Sequence, residues 1–178
     1  MRIVIVGAGA VGGVVAANLA MAGTPVVAVA RGEHGRMMRE SGLSYESPSG
    51  VRVVELPVAA SVGDVAFGDD DVIFLGVKSQ DTVGVLNDLR TAGVTDQPIV
   101  CLQNGVDNER QALRLYRRVV PVLGNVGGDH AIDAGGVGFR LDQSRPSLDR
   151  DACNRVVDRH GALRVLHHVA ELACGRRT

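Results

Sequence analysis

The sequence predicts an α/β fold in which helices cover both faces of a mostly parallel sheet. The apolar runs at residues 2–6 and 71–77 have the continuous hydrophobicity of strands that are buried on both faces. Each run is followed by a segment with the pattern of a helix, and a glycine-rich turn at residues 7–12 joins the first run to its helix. This alternation predicts a doubly wound sheet of the Rossmann type with right-handed crossovers.

The predicted elements alternate from residue 2 to residue 123. Strands are predicted at residues 2–6, 25–30, 71–77, 98–102 and 119–123. Helices are predicted at residues 10–22, 33–41, 80–91 and 107–117. Since glycine commonly ends a helix, Gly23 and Gly42 predict the ends of the first two helices. Extended structure is expected at residues 51–58, after the turn-forming residues 47–50.

The regular alternation ends after Leu123. Residues 124–138 are rich in glycine, and the pattern at residues 137–141 is compatible with one more strand. We therefore predict a dinucleotide-binding Rossmann domain at residues 1–141. Residues 142–178 are expected to form an irregular, weakly helical segment.

The composition limits the class of protein. An apolar fraction of 46% is enough for a hydrophobic core. No apolar run reaches the length of about 18 residues that a membrane-spanning helix needs. The formal net charge of −1 gives no indication of a nucleic acid or a membrane surface as partner. We therefore expect a cytoplasmic protein that binds neither.

The cysteines predict neither disulfides nor a zinc site. Cys101, Cys153 and Cys174 lie far apart in the chain and form no closely spaced pair. Cys101 lies within an apolar run, so we expect its thiol to be buried.

No metal site is predicted elsewhere. His160, His167 and His168 fall in the weakly helical segment, where adjacent side chains point about 100° apart and do not face one ion. These histidines are expected to be solvated. The acidic run at residues 69–71 is likewise expected to be a solvated loop.

The glycine-rich turn has the spacing G-x-G-x-x-G. It consists of Gly7, Ala8, Gly9, Ala10, Val11 and Gly12. In such a turn the first glycine permits the tight bend, the second lets a pyrophosphate approach the backbone, and the third lets the helix pack close to the strand. Free N–H groups and the positive end of the helix dipole would then meet the phosphates. Since a strand precedes the turn and a helix follows it, the motif predicts a dinucleotide site.

The residue after the second predicted strand indicates which dinucleotide. NAD-binding units usually carry an acid there, which accepts a hydrogen bond from the ribose 2′-hydroxyl. This chain has Arg31 instead. A guanidinium forms charge-assisted hydrogen bonds to a 2′-phosphate, which a carboxylate would repel. The sequence therefore favours NADP over NAD.

Polar residues also follow two later strands. Lys78, the only lysine in the chain, follows the run at 71–77, and Asn104 follows the run at 98–102. Ligands of open parallel sheets bind beyond the carboxyl ends of the strands. We therefore expect both residues on the same edge as the glycine-rich turn.

Four segments together resemble the ketopantoate reductase family, the 2-dehydropantoate 2-reductases. They match in order and spacing and lie at residues 5–13, 30–32, 77–81 and 102–106. The resemblance covers about residues 1–141. It implies NADPH-dependent reduction of 2-dehydropantoate, or a related small 2-oxo acid, to the 2-hydroxy acid, on the route to pantothenate.

The resemblance also implies roles for individual residues. Gly7 to Gly12 would hold the pyrophosphate, and Arg31 would hold the 2′-phosphate. Lys78 would lie beside the ribose and nicotinamide, and Asn104 near the nicotinamide and substrate.

The chain departs from this family in its second half. Family members carry a helical domain with a lysine that acts as general acid, and this sequence has no lysine after Lys78. No catalytic residue is therefore assigned. Three alternatives stay open: an active reductase, a truncated and inactive NADP-binding domain, or a subunit completed by another chain. We expect the gene to be truncated or frame-shifted, so that residues 142–178 are not family sequence. We also expect an uncovered cleft to favour homo-oligomers.

Overall fold

A computed structural model describes residues 1–47, 50–103 and 107–121. Strands in this part of the chain are β1 Arg2–Val6, β2 Val26–Val29, β3 Leu43–Ser47, β4 Gly50–Val54, β5 Val58–Ala59, β6 Asp71–Leu75, β7 Ile99–Cys101 and β8 Val119–Pro121. Helices are α1 Ala10–Met21, α2 Gly32–Ser41, α3 Thr82–Thr91 and α4 Asp107–Leu113. The strand predicted at 137–141, the domain boundary at 141 and the three C-terminal histidines lie outside the described residues.

Six strands form one parallel sheet in the order β5-β2-β1-β6-β7-β8. β1 lies in the middle, where Ile3 is opposite Val26 of β2 on one side and Val72 of β6 on the other. The chain therefore builds the sheet outward from β1 in one direction and then returns to build it in the other. This topology confirms the predicted doubly wound α/β fold.

β1 is buried on both faces, which explains its uninterrupted apolar sequence. Ile3 and Ile5 pack in a core cluster with residues of α1, whereas Val4 and Val6 pack in a second cluster with residues of α3. Successive side chains of a strand point to opposite faces. The sheet therefore separates two hydrophobic cores, each closed by helices.

An antiparallel hairpin of β3 and β4 lies outside the main sheet. We predicted a continuous extended segment at 51–58, but it is divided between β4 of this hairpin and β5 of the main sheet. Leu43 and Val54 face each other in the hairpin and are buried in the same core cluster as α1. β3 was not predicted from the sequence, although the alternation of Leu43 and Tyr45 with polar residues is a signal for a strand.

The predicted boundaries change where the chain leaves the sheet or a helix early. β6 ends at Leu75 rather than residue 77, and α4 ends at Leu113 rather than 117. After α4 the chain forms a turn, in which the amides of Leu115 and Tyr116 both donate to the carbonyl of Ala112. The helix predicted from residue 80 begins at Thr82, after one turn of 3-10 helix.

The acidic run at 69–71 is only partly a solvated loop. Asp69 and Asp70 are exposed, but Asp71 is buried as the first residue of β6. Arg2 of β1 donates from Nε to Asp71 Oδ1 at 3.0 Å, and the Gly68 amide donates to Oδ2 at 2.8 Å. The side-chain hydrogen bond to Asp71 raises the pKa of Arg2. The prediction of a solvated loop is therefore wrong at Asp71, because its partner lies on a neighbouring strand.

None of the described helices is long and apolar enough to cross a membrane. Among the described residues, no group of three or more His, Cys, Asp or Glu side chains is arranged to hold a metal ion.

Candidate dinucleotide-binding site

The glycine-rich turn leaves β1 at the carboxyl edge of the sheet. Gly7 has φ +99°, a conformation that other residues rarely adopt. A Cβ at this position would lie 2.7 Å from the Val77 nitrogen. The Gly7 amide donates to the Val29 carbonyl at 3.0 Å, which ties the turn to the end of β2. Backbone conformation and close contact therefore both require glycine here.

Gly12 brings α1 against the turn. A Cβ on Gly12 would lie 2.1 Å from the Gly7 carbonyl oxygen and 3.3 Å from Ile5 Cγ2. Gly76, just after β6, is also closely packed, because its Cβ would lie 2.6 Å from the same oxygen. Gly76 was missed at the sequence level, although a glycine directly after a buried strand was a signal for close backbone approach.

Gly9 differs from its neighbours because the protein itself leaves its side-chain position empty. A Cβ at Gly9 would meet no described atom within 4 Å, and the residue is exposed. Gly9 is also the N-cap of α1, where no side chain caps the helix and no acidic residue lies in the first turn. The first N–H groups of a helix have no partner within it. The open space therefore lies where backbone donors and the helix dipole favour an anion.

The alanines and valine of the turn divide between the core and solvent. Ala8 is buried, whereas Ala10 and Val11 are exposed. The Ala8 carbonyl lies 2.8 Å from Nε2 of His34, in the first turn of α2. This contact fixes the turn relative to α2. It was missed at the sequence level, since 26 residues separate the partners.

Arg31 follows β2 and is the N-cap of α2, with extended backbone. Its side chain is 70% exposed, and its Nη2 lies 3.7 Å from Oδ2 of Asp81. Glu33, the next acid along the chain, accepts a hydrogen bond from Arg36 Nε at 2.9 Å. The hydrogen bond from Arg36 lowers the pKa of Glu33. Arg31 is thus the cationic side chain that follows β2 at the carboxyl edge of the sheet, and Glu33 is paired with Arg36.

Lys78 follows β6 on the same edge. The Gly76 amide donates to the Val6 carbonyl at 2.8 Å, so the chain leaves β6 beside the glycine-rich turn. Lys78 is exposed, and its carbonyl accepts a hydrogen bond from the Asp81 amide at 2.9 Å. Asn104 lies outside the described residues, and Gln103 is the last described residue before it.

A buried polar network joins the segment after β6 to the segment after β7. Thr82 and Asn108 are 0% and 2% exposed, and Thr82 Oγ1 donates to Asn108 Oδ1 at 3.0 Å. Gln103 Nε2 donates to Thr82 Oγ1 at 2.7 Å, and Asn108 Nδ2 donates to Ser79 Oγ at 3.3 Å. Gln103 Oε1 is buried without a hydrogen-bond partner in the structure as described. The network thus fixes the segments that carry Lys78 and Gln103 to each other.

Cys101 is the last residue of β7 and belongs to one of the two core clusters. Its side chain is completely buried, as predicted, and burial raises the pKa of the thiol to about 12. The thiol therefore stays protonated and acts as a small apolar side chain.

With this geometry, the comparison with known proteins is decisive for the family. The model of the family described as ketopantoate reductase PanE/ApbA matches residues 3–137. The chain belongs to the ketopantoate reductase family. The resemblance of the four segments is thereby confirmed.

Individual ketopantoate reductases support this membership. The chain is 32% identical over 120 residues to a 2-dehydropantoate 2-reductase of Pyrococcus horikoshii, which is 67% of this chain and 38% of the relative. A PanE/ApbA family ketopantoate reductase from Ralstonia eutropha superposes with a TM-score of 0.62 at 30% identity, over 68% of this chain and 40% of the other.

A second similar solved structure contains a nicotinamide cofactor. D-mandelate dehydrogenase with NADH and anilino(oxo)acetate superposes with a TM-score of 0.61 at 25% identity, over 68% of this chain and 40% of that one. The chain thus spans about two fifths of the length of the relatives it matches.

In this ketopantoate reductase family member, three of the four resembling segments are described completely. They carry the glycine-rich turn, Arg31 and Lys78 to adjacent strand ends on one edge of the sheet. The fourth segment is described only as far as Gln103.

Proposed function

We propose that the described domain binds a nicotinamide dinucleotide at the carboxyl edge of its sheet, as part of an oxidoreductase that reduces a 2-oxo acid such as 2-dehydropantoate. The observation that carries this proposal is the open position at Gly9 between two glycines that are closely packed. Membership of the ketopantoate reductase family supports the reaction. The NADH in the D-mandelate dehydrogenase structure supports the class of cofactor.

The residues of the turn would hold the pyrophosphate. Gly9 would leave room for the phosphate oxygens, and the first N–H groups of α1 would donate to them. Ala8, Ala10 and Val11 would line this part of the site through their backbone. Gly7 and Gly12 would act indirectly, because they let the turn and the helix approach each other.

We further propose that the cofactor is NADP rather than NAD. Support comes from Arg31, which is exposed after β2 at the position where NAD-binding units usually carry an acid. A guanidinium binds a phosphate by paired, charge-assisted hydrogen bonds. Arg31→Ala should therefore weaken the binding of NADPH more than the binding of NADH.

Lys78 and Asn104 are proposed to lie by the nicotinamide and the substrate. Lys78 is exposed after β6, and the neighbour of Asn104, Gln103, is held by the buried network. The bound nicotinamide supplies the hydride for the reduction. A cation such as Lys78 would favour the negative charge that develops on the carbonyl oxygen.

A second candidate function is cofactor binding without turnover by this chain alone. The described residues at the carboxyl edge of the sheet account for holding a cofactor, and none of them is assigned as a general acid for the reduction. NADPH oxidation in the presence of 2-dehydropantoate separates the two candidates. Oxidation by the purified chain supports the reductase, and binding without oxidation supports the second candidate.

The binding proposal is tested by Gly9→Ala. Because a Cβ at Gly9 meets no described protein atom, the variant should fold normally but obstruct the pyrophosphate. We expect NADPH to bind at least about tenfold more weakly, or about 1.4 kcal/mol, in a fluorescence titration. The matched control is Gly68→Ala, also without a contact within 4 Å, on the loop that precedes β6. Unchanged NADPH affinity in Gly9→Ala would contradict the proposal.

A further inference from the structure

The carboxylate of Asp81 does not cap the helix that it precedes. It is the N-cap of α3, where an aspartate commonly accepts a hydrogen bond from the backbone of the first turn. No side-chain cap hydrogen bond is formed here. The carboxylate lies instead 3.7 Å from the guanidinium of Arg31.

The pair of Arg31 and Asp81 bridges two strand ends. Arg31 follows β2, and Asp81 lies in the turn after β6, while β1 and its glycine-rich turn lie between these two strands. The ion pair therefore spans the edge of the sheet across the end of the proposed cofactor site. A dinucleotide that lies on the turn must pass beside it.

Structural stability gives no sufficient reason for this pair. The side chains of Arg31 and Asp81 are 70% and 43% exposed. Ion pairs between exposed side chains contribute little to folding, because water screens them and two side chains must be ordered. The pair is thus easily opened by a stronger partner for the guanidinium.

We propose that Asp81 determines cofactor specificity by competing with the 2′-phosphate of NADP for Arg31. The inference rests on the proposed cofactor site. A 2′-phosphate carries more negative charge than the carboxylate and binds the guanidinium through several oxygens, so it displaces Asp81. Asp81 then lies close to the phosphate and repels it. NADH has a neutral hydroxyl at this position and experiences neither effect.

The consequence is that Asp81 reduces the preference for NADPH that Arg31 creates. The loss is moderate, because the exposed carboxylate and phosphate repel each other through water. Removing the charge of Asp81 should therefore strengthen the binding of NADPH and leave the binding of NADH unchanged.

The test is Asp81→Asn in the full chain. Asparagine is isosteric and is as good an N-cap as aspartate, so α3 should begin unchanged. The dissociation constants of NADPH and NADH are measured by fluorescence titration at low and high salt. We expect NADPH to bind about threefold or more tightly at low salt, with a smaller gain at high salt because salt screens the repulsion. NADH should stay within about twofold.

Asp88→Asn is the matched control. Asp88 is exposed on the same helix, seven residues and therefore about 10 Å further along its axis. It should leave both dissociation constants unchanged. An equal gain in this control would mean that total charge, and not the position of Asp81, sets the affinity, which overturns the inference.

Arg31→Ala separates this inference from the function on which it rests. If Arg31→Ala abolishes the preference for NADPH but Asp81→Asn leaves the ratio unchanged or weakens NADPH, the competition is overturned and the proposed site stands. If Arg31→Ala leaves the ratio unchanged, the proposed 2′-phosphate site fails and the competition fails with it.

Discussion

At the scale of single residues, the three motif glycines are required for different physical reasons. Gly7 and Gly12 are required by the protein, since a Cβ at either would lie within 3 Å of backbone atoms. Gly9 is not required by any described contact of the fold. The fold does not need glycine at position 9, whereas it needs Gly7 and Gly12. We therefore expect Gly9 to serve a ligand.

Gly12→Ala should therefore destabilise the protein where Gly9→Ala does not. The new Cβ would lie 2.1 Å from the Gly7 carbonyl oxygen, so α1 or the turn must shift. Overpacking of this kind costs about 1–3 kcal/mol, and a backbone contact belongs at the upper end of that range. Urea denaturation of both variants checks the difference. Equal free energies of unfolding for Gly12→Ala and the parent would show that the model of close helix–turn packing is wrong.

At the scale of secondary-structure elements, side-chain hydrogen bonds link neighbours that the sheet leaves unconnected. His34 joins α2 to the glycine-rich turn, and the network around Thr82 joins the segment after β6 to α4. The Tyr116 hydroxyl adds a bond to the Leu86 carbonyl of α3 at 2.9 Å. The loops of the candidate site are therefore held by contacts beneath them rather than by contacts within the site.

Thr82→Val tests the network. Valine keeps the shape of the side chain but removes the buried donor to Asn108 and the partly buried acceptor for Gln103. A hydrogen bond contributes about 0.5–1.5 kcal/mol, so we expect the loss of two to lower the free energy of unfolding by about 1–3 kcal/mol.

Thr82→Ser is the matched control for this substitution. Serine retains the hydroxyl and loses only a methyl group, so it should recover most of the lost stability. A serine variant no more stable than the valine variant would mean that the methyl group contributes at least as much as the hydrogen bonds, which contradicts this expectation.

At the scale of the whole molecule, the sheet separates structural charges from the candidate site. Arg2 and Asp71 pair at the amino ends of β1 and β6, whereas Arg31 and Lys78 lie beyond carboxyl ends.

Buried groups with raised pKa values add a dependence of global stability on pH. Burial raises the pKa of Cys101 to about 12 and raises that of Tyr116 as well.

Stability should consequently fall at alkaline pH. The Cys101 thiol ionises near pH 9.0 when the chain is unfolded but only near 12 when it is folded, so the folded state binds the extra proton between these values. Its contribution is complete below pH 9 and is lost as the pH rises, by about 1.4 kcal/mol per pH unit. Urea denaturation under reducing conditions between pH 8 and 10.5 measures it.

Cys101→Ala is the reference for this measurement. All other side chains are the same in both proteins, so the difference between parent and variant isolates Cys101. We expect this difference to change with pH above 9 in favour of the variant. A difference that is constant with pH would contradict the assignment of a buried, neutral thiol.

The sequence by itself determined the features that depend on neighbouring residues. The apolar run of β1, the spacing of Gly7, Gly9 and Gly12, and Arg31 after β2 are local patterns, and they indicated the fold, the family and the candidate site. Strand and helix periodicity is likewise local, which is why most elements were predicted within a few residues.

Only the tertiary structure decided which distant residues meet. Asp71 is buried because it pairs with Arg2, 69 residues away, and Thr82 meets Asn108 across 26 residues. The contact of Asp81 with Arg31 follows from the strand order, which sets β2 and β6 on either side of β1. The physical reason is that strand order and register are set by the packing of the complete sheet. The local sequence around Asp71, Thr82 or Asp81 therefore does not contain the identity of its partner.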